Sequence, residues 1–174
     1  MTAALTVSFM MRNTSPIGWP PLLLIKIIYE RSLVPFIKAG LFVFLPLVAI
    51  CVICDSFYYG MESFPVLTSY NFMQVNLTEG LSRYFGTEPF QWYIVEVMPK
   101  IFTVIFPCLI AAFYVYPRDM LKSGSQQPYM FYVSSLYLLV FSAIPHKESR
   151  FMLPIIPFCF LMIGYFLVKQ IKTE

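Results

Sequence analysis

The densest chemistry in the sequence is the run His146-Lys147-Glu148-Ser149-Arg150, in which four of five residues are ionisable. It lies between two uncharged apolar runs, residues 128–145 and 151–168, in a connection too short to leave a membrane surface. Charges beside hydrocarbon are costly and face a cavity, a partner or lipid headgroups. Lys147 as a point charge and Arg150 as a planar fork suit an anion such as a lipid phosphate, with Glu148 orienting one of them. A solvated turn obeying interfacial charge preferences explains the same residues, and His146, the one histidine of the chain, adds little alone. Asp55, after another apolar run, suits a substrate or divalent metal, or is simply the first hydrated residue beyond a span. Arg12, between apolar stretches, meets a lipid phosphate in the interior or snorkels to an interface. Trp92 and Tyr93 suit a sugar face or an aromatic belt.

Other chemistry has little to stand on. The sequence holds no G-x-S-x-G, no Gly-rich phosphate loop, no H-E-x-x-H and no paired metal ligands. Cys51 and Cys54 form a C-x-x-C inside an apolar run, without a second pair or a nearby His, and read as small buried hydrophobes. No metal site is expected. The net charge of +3 is scattered, which argues against a nucleic-acid partner.

The elements that must carry these residues are membrane helices. Hydrophobic residues make up 59% of the 174 and charged residues only 12%, against about 45–50% and about 25% in soluble domains. A span needs about 20 mostly apolar residues. Residues 39–54 (extendable toward Pro35 across Lys38), 128–145 and 151–168 satisfy this, and 101–117 does so if it begins nearer Ile94. Residues 2–11 and 17–25 are also apolar, but Pro16, Gly18, Pro20 and Pro21 predict a hairpin or broken helix there. Lys26, Arg31, Lys38, Arg118, Lys122, Lys169 and Lys172 mark the cytosolic side, placing residues 55–97 and 146–150 opposite. The aromatic-rich loop at about 55–97 suits elements lying in the interface, and its Asn76-Leu77-Thr78 is a glycosylation sequon. We read one membrane domain over residues 1–174. A transporter or a non-catalytic scaffold fits the composition as well, although no pseudo-symmetric halves are evident.

At this point the motifs carry a resemblance. HKESRF at 146–151 resembles the HKExRF signature of glycosyltransferase family 22, the dolichyl-phosphate-mannose-dependent mannosyltransferases. DSFYYG at 55–60, YNFMQVN at 70–76 and YFGTEPFQWY at 84–93 are similar to the luminal segment of that family, in the same order. The resemblance implies an all-α, multi-span helical bundle of GT-C type in the endoplasmic-reticulum membrane, apparently a fragment of a larger fold. It implies α-1,2-mannosyl transfer from dolichyl-phosphate mannose, a lipid-linked donor, to a glycolipid acceptor, with no cofactor besides the donor. HKESRFMLPIIPFCFLMIGY at 146–165 and RNTSPIGWPPLL at 12–23 lean toward a glycosylphosphatidylinositol (GPI) anchor precursor as acceptor, and GTEP at 86–89 toward the dolichol-linked N-glycan precursor. The family also carries an acidic first luminal loop, thought to hold the catalytic carboxylate, which nothing in residues 1–12 matches. The chain therefore reads as an internal piece, with its catalytic base unknown, and a non-catalytic membrane fragment stays open beside the enzyme.

Overall fold

The computed structural model of the protein describes residues 7–8, 15–31, 33–60, 62, 64–75, 84, 86–124 and 127–173. Arg12 and the sequon asparagine Asn76 lie outside the described residues. Every regular element among the described residues is helical. By their contacts the residues form two compact units, Met1–Ser82 and Arg83–Glu174.

In the first unit a 3₁₀ turn, Ser15–Gly18, leads into α1, Trp19–Glu30. Pro20 and Pro21 sit in the first turn of α1, where a proline lacks only an N–H that would have no helical partner. Pro20 and Pro21 therefore start a helix, and the hairpin or break expected ahead of it falls on residues 9–14, outside the described residues. Next come α2, Leu33–Ala39, a π turn, Gly40–Phe44, and α3, Leu45–Tyr59. Together they form a 27-residue rod, Leu33–Tyr59, long and apolar enough to cross a membrane. The span predicted over 39–54 is thus present and longer at both ends. After Gly60, whose φ of +98° suits glycine, residues 60–67 lead to the short helix α4, Thr68–Met73.

The second unit is built from two more long rods and a short helix. The second rod of the molecule joins a π turn, Tyr93–Val97, to α5, Met98–Phe102, a 3₁₀ turn, Thr103–Ile105, and α6, Phe106–Ser123. The short helix α7 is Tyr129–Ala143. The last rod joins a 3₁₀ turn, Ser149–Ile155, to α8, Ile156–Thr173. Tyr93–Ser123 and Ser149–Lys172 are both long and apolar enough to span. The start nearer Ile94 expected for the first of these is where the helix begins.

The irregular turns share one cause. Pro46, Pro99, Pro107 and Pro157 each stand second in α3, α5, α6 and α8. A proline has no N–H for the carbonyl four residues earlier, and its ring crowds that carbonyl. Each preceding segment consequently widens to a π turn or tightens to a 3₁₀ turn. At Pro107 the adjustment is sharpest, leaving Thr103 at φ 44°, a conformation uncommon for a β-branched residue.

The span expected over 128–145 is shorter than its composition suggests. Pro145 biases Ile144 away from helix, and Ile144 is extended at ψ 129°. The helix that remains, 15 residues, is ~22 Å long at ~1.5 Å per residue, less than the ~30 Å of a bilayer core. Residues 144–148 complete the return without helix.

The core of the second unit follows helical spacing. Met152, Ile155, Cys159, Met162 and Ile163 form one buried stripe, Leu109, Ala112 and Tyr116 another, and Val133, Tyr137 and Phe141 a third. Phe141 stacks on Phe151 at 5.1 Å, Phe102 meets Phe160 at 5.0 Å and Tyr116 meets Tyr165 edge-on at 5.4 Å. At the far end of the last two rods, Lys169 Nζ and Tyr165 Oη both donate to Asp119 Oδ2. The two rods therefore run in the same direction, with α7 returning between them. This order agrees with the charge pattern, which puts Arg118, Lys122, Lys169 and Lys172 at one end and residues 146–150 at the other. Ala112 is fully buried, so Ala112→Leu should overpack the contact between α6 and α8 and cost ~1–3 kcal/mol. A lowered unfolding midpoint in detergent, with no change for the exposed Leu153→Ala, is the expected result.

Candidate functional site

The site grows from the return after α7. Leaving the helix at Ala143, the backbone must satisfy its polar groups without a helical ladder, beside apolar rods. Residues 86–89, also outside any helix, supply the partners. Glu88 N–H donates to Pro145 O at 3.0 Å. Lys147, only 7% exposed, donates from Nζ to Glu88 O at 2.9 Å and to Ile144 O at 2.6 Å. His146 Nδ1 faces Gly86 O at 3.2 Å and its Nε2 faces Glu148 Oε1 at 3.1 Å. Both ring partners are acceptors, so both contacts are hydrogen bonds only in the imidazolium form.

Tyr93 closes the arrangement from below. Its ring is fully buried at the start of the second rod. The hydroxyl donates to Glu148 O at 3.1 Å and accepts Glu148 N–H at 3.2 Å. Glu148 O also accepts Phe151 N–H at 3.1 Å, opening the 3₁₀ turn of the last rod. The main chain of Glu148 is thereby held on both sides.

The Glu148 side chain gathers the charges. Its Oε1 accepts from Arg150 Nη2 at 3.0 Å while Oε2 pairs with Arg150 Nε, a forked contact, and His146 shares Oε1. Burial pushes the Glu148 carboxyl up, but hydrogen bonds and charge from His146 and Arg150 outweigh it and hold the group below its ordinary value of 4.5. Burial also pulls the Lys147 ammonium below its ordinary value, against the opposing charge of Glu88. Arg150 itself is 69% exposed. Glu148 occupies two of the five guanidinium donors, so Arg150 is oriented and still able to meet an anion.

These contacts sort the residues named from the sequence. His146, Lys147, Glu148 and Arg150 come together, but in different tasks. The ammonium of Lys147, expected to face a phosphate, is instead buried on two carbonyls. Burying a charge beside apolar rods is tolerable only with partners, and here they are main-chain groups, so Lys147 is a clamp. Asp55 lies in the first unit and inside α3, which continues to Tyr59, rather than after a helix ending at Cys54. Its Oδ2 accepts Thr68 N–H at 3.0 Å at the start of α4, while Ser56 Oγ accepts Val66 N–H at 2.9 Å. Asp55 and Ser56 thus tie Val66 and Thr68 back to the end of a span. Tyr93 and the main chain of 86–89 were missed in these roles. Their partners lie 55 to 60 residues away, and the shared charge-and-aromatic blocks at 84–93 and 146–151 were the only signal.

With the geometry in place, the comparisons can be read. The model of the Alg9-like mannosyltransferase family matches residues 1–173. The chain belongs to this family. It is 29% identical over 177 residues to "GPI alpha-1,2-mannosyltransferase 3" of Bos taurus, covering 99% of this chain and 30% of the relative. It is 29% identical over 168 residues to the protein of the same name in Mus musculus, covering 93% and 28%. With "GPI mannosyltransferase 3" of Candida albicans the identity is 27% over 151 residues, covering 87% and 28%. The chain thus spans about 30% of the length of the curated relatives it matches. No solved structure matches it. In this Alg9-like chain, the two sequence blocks around residues 84–93 and 146–151 are two sides of one hydrogen-bonded site.

Two outcomes check the site. Lys147→Met should leave Glu88 O and Ile144 O without their donor and cost ~1–3 kcal/mol, read as faster amide exchange over 86–93 and 144–151. The Glu148 carboxyl is depressed in the folded state, so its contribution is complete above 4.5 and is lost as pH falls through the lower folded value. Exchange in the same segments should therefore rise on acidification, and Glu148→Gln should flatten that rise.

Proposed function

We propose that this chain is part of an α-1,2-mannosyltransferase that transfers mannose from dolichyl-phosphate mannose to a GPI-anchor precursor in the endoplasmic-reticulum lumen. The observation that carries the reading is the family match over nearly the whole chain together with relatives named for the third GPI mannosyltransferase. Those relatives also favour the anchor precursor over the dolichol-linked N-glycan precursor as acceptor.

The chemistry asked of this part of the enzyme is anion management. An acceptor hydroxyl loses its proton to a base elsewhere in the protein and attacks the anomeric carbon, while the dolichyl phosphate leaves with the bonding electrons. Negative charge rises on the phosphate oxygens as that bond breaks, and a preoriented cation lowers the barrier. Arg150 suits this role: it is exposed, permanently charged and aimed by Glu148 at the start of a span, where a lipid phosphate lies. Lys147 and His146 support it by holding the turn and sharing the Glu148 carboxylate. The acceptor, the lipid-linked donor and the surrounding membrane lipids are the partners, and the donor takes the place of a cofactor.

The test is complementation in cells lacking the third mannosyltransferase of anchor assembly, using the full-length protein and reading surface anchored proteins. Rescue is expected; a failure to rescue combined with restored lipid-linked oligosaccharide profiles in cells lacking the N-glycan enzyme would move the acceptor assignment. Arg150→Ala should cut turnover by ~10²-fold or more, the size seen when one charge-stabilising donor is removed. Unchanged turnover at equal expression would take Arg150 out of the reaction.

A further inference from the structure

We propose that Tyr93 is a positioning residue for the donor phosphate, acting through Glu148 on Arg150. The proposal rests on the phosphate reading of Arg150 and deepens it.

Tyr93 starts the second rod and is fully buried, and the one polar atom of its side chain is engaged twice by the same residue, with Glu148 O at 3.1 Å and Glu148 N at 3.2 Å. A tyrosine that only filled the core could be replaced by phenylalanine without loss, because a core position needs no hydroxyl. Here the hydroxyl takes the place of a ladder partner for an extended residue (φ −135°, ψ 142°) that has no strand beside it. With both main-chain groups held, the direction of the Glu148 side chain is set by the rod that carries Tyr93. The carboxylate then presents two oxygens to the Arg150 fork. Because Arg150 is otherwise exposed, a long flexible side chain would sample many directions without that carboxylate, and orienting it beforehand removes an entropy cost at the moment the phosphate arrives. Of the contacts to the turn, those from Lys147 and Glu88 end on the carbonyls of Glu88, Ile144 and Pro145. Tyr93 alone among the described side chains from the second rod reaches the Glu148 main chain, and so controls the residue that aims the arginine.

The experiment is a double-mutant cycle in the full-length enzyme in membranes, with dolichyl-phosphate mannose and the GPI precursor varied in turn. Tyr93→Phe should raise the KM for the donor about tenfold, the loss expected from one hydrogen-bonded constraint, and leave the KM for the acceptor unchanged. Arg150→Ala should lower the donor kcat/KM further, and Tyr93→Phe added to Arg150→Ala should change nothing more, since the residue it positions is gone. Should Tyr93→Phe fail to accumulate, Glu148→Gln, which keeps a single acceptor oxygen, must give the same donor-specific defect and the same lack of additivity. Full additivity of Tyr93→Phe on a defective Arg150→Ala would overturn the positioning role and leave the phosphate contact standing. An unchanged donor kcat/KM in Arg150→Ala would overturn the phosphate contact, and the positioning role with it.

Discussion

Main-chain polar groups beside hydrocarbon must find partners inside the protein, and at the return between Ala143 and Ser149 no helix supplies them. Proline at 145 disfavours one, and the resulting five-residue stretch needs other partners for its carbonyls and amides at the end of an apolar bundle. The second unit meets this demand with side chains and with one non-helical neighbour. Lys147 donates to two carbonyls, Glu88 pairs with Pro145, and the Tyr93 hydroxyl serves both sides of Glu148. The ion cluster of the site exists because these partners settle the backbone first.

That order of causes separates residues that sequence reasoning groups together. Lys147 and Arg150 are both cations in one motif, yet one is spent on structure and the other is presented outward. The difference is geometric. Lys147 stands on the extended return, where its stem can fold back over the carbonyls, and an ammonium with three donors suits two such acceptors at once. Arg150 stands in the first turn of the last rod, and its fork matches the carboxylate two residues earlier. A lysine at 150 would lose the forked contact, because an ammonium has no planar fork to match a carboxylate.

Proline governs the rods in the same way. Five of the described prolines (Pro20, Pro46, Pro99, Pro107 and Pro157) stand second in an α-helical segment, and each such segment is preceded by a turn that is wider or tighter than an α-helix. The joints do not shorten the rods below membrane length, for the rods remain 24 to 31 residues long. They do rotate one segment relative to the next, so the buried stripe of Tyr93, Val97, Met98 and Phe102 need not continue in register with that of Leu109, Ala112 and Tyr116. Tyr93 is the first residue of the π turn ahead of Pro99.

The sequence by itself determined the membrane character, the long helices and the family. These depend on composition, run length and short motifs, all of which are local quantities. It also brought forward His146, Lys147, Glu148 and Arg150, because charges wedged between uncharged runs are conspicuous. Tertiary structure alone decided what each of them contacts. It showed that 128–145 holds a 15-residue helix and a return, that Asp55 caps α4 from within α3, and that Tyr93 belongs to the site. The physical reason is reach: a hydrogen bond between residues 55 or more positions apart leaves no periodicity in the chain, and a lysine destined for burial on carbonyls has the same letter as one destined for a phosphate.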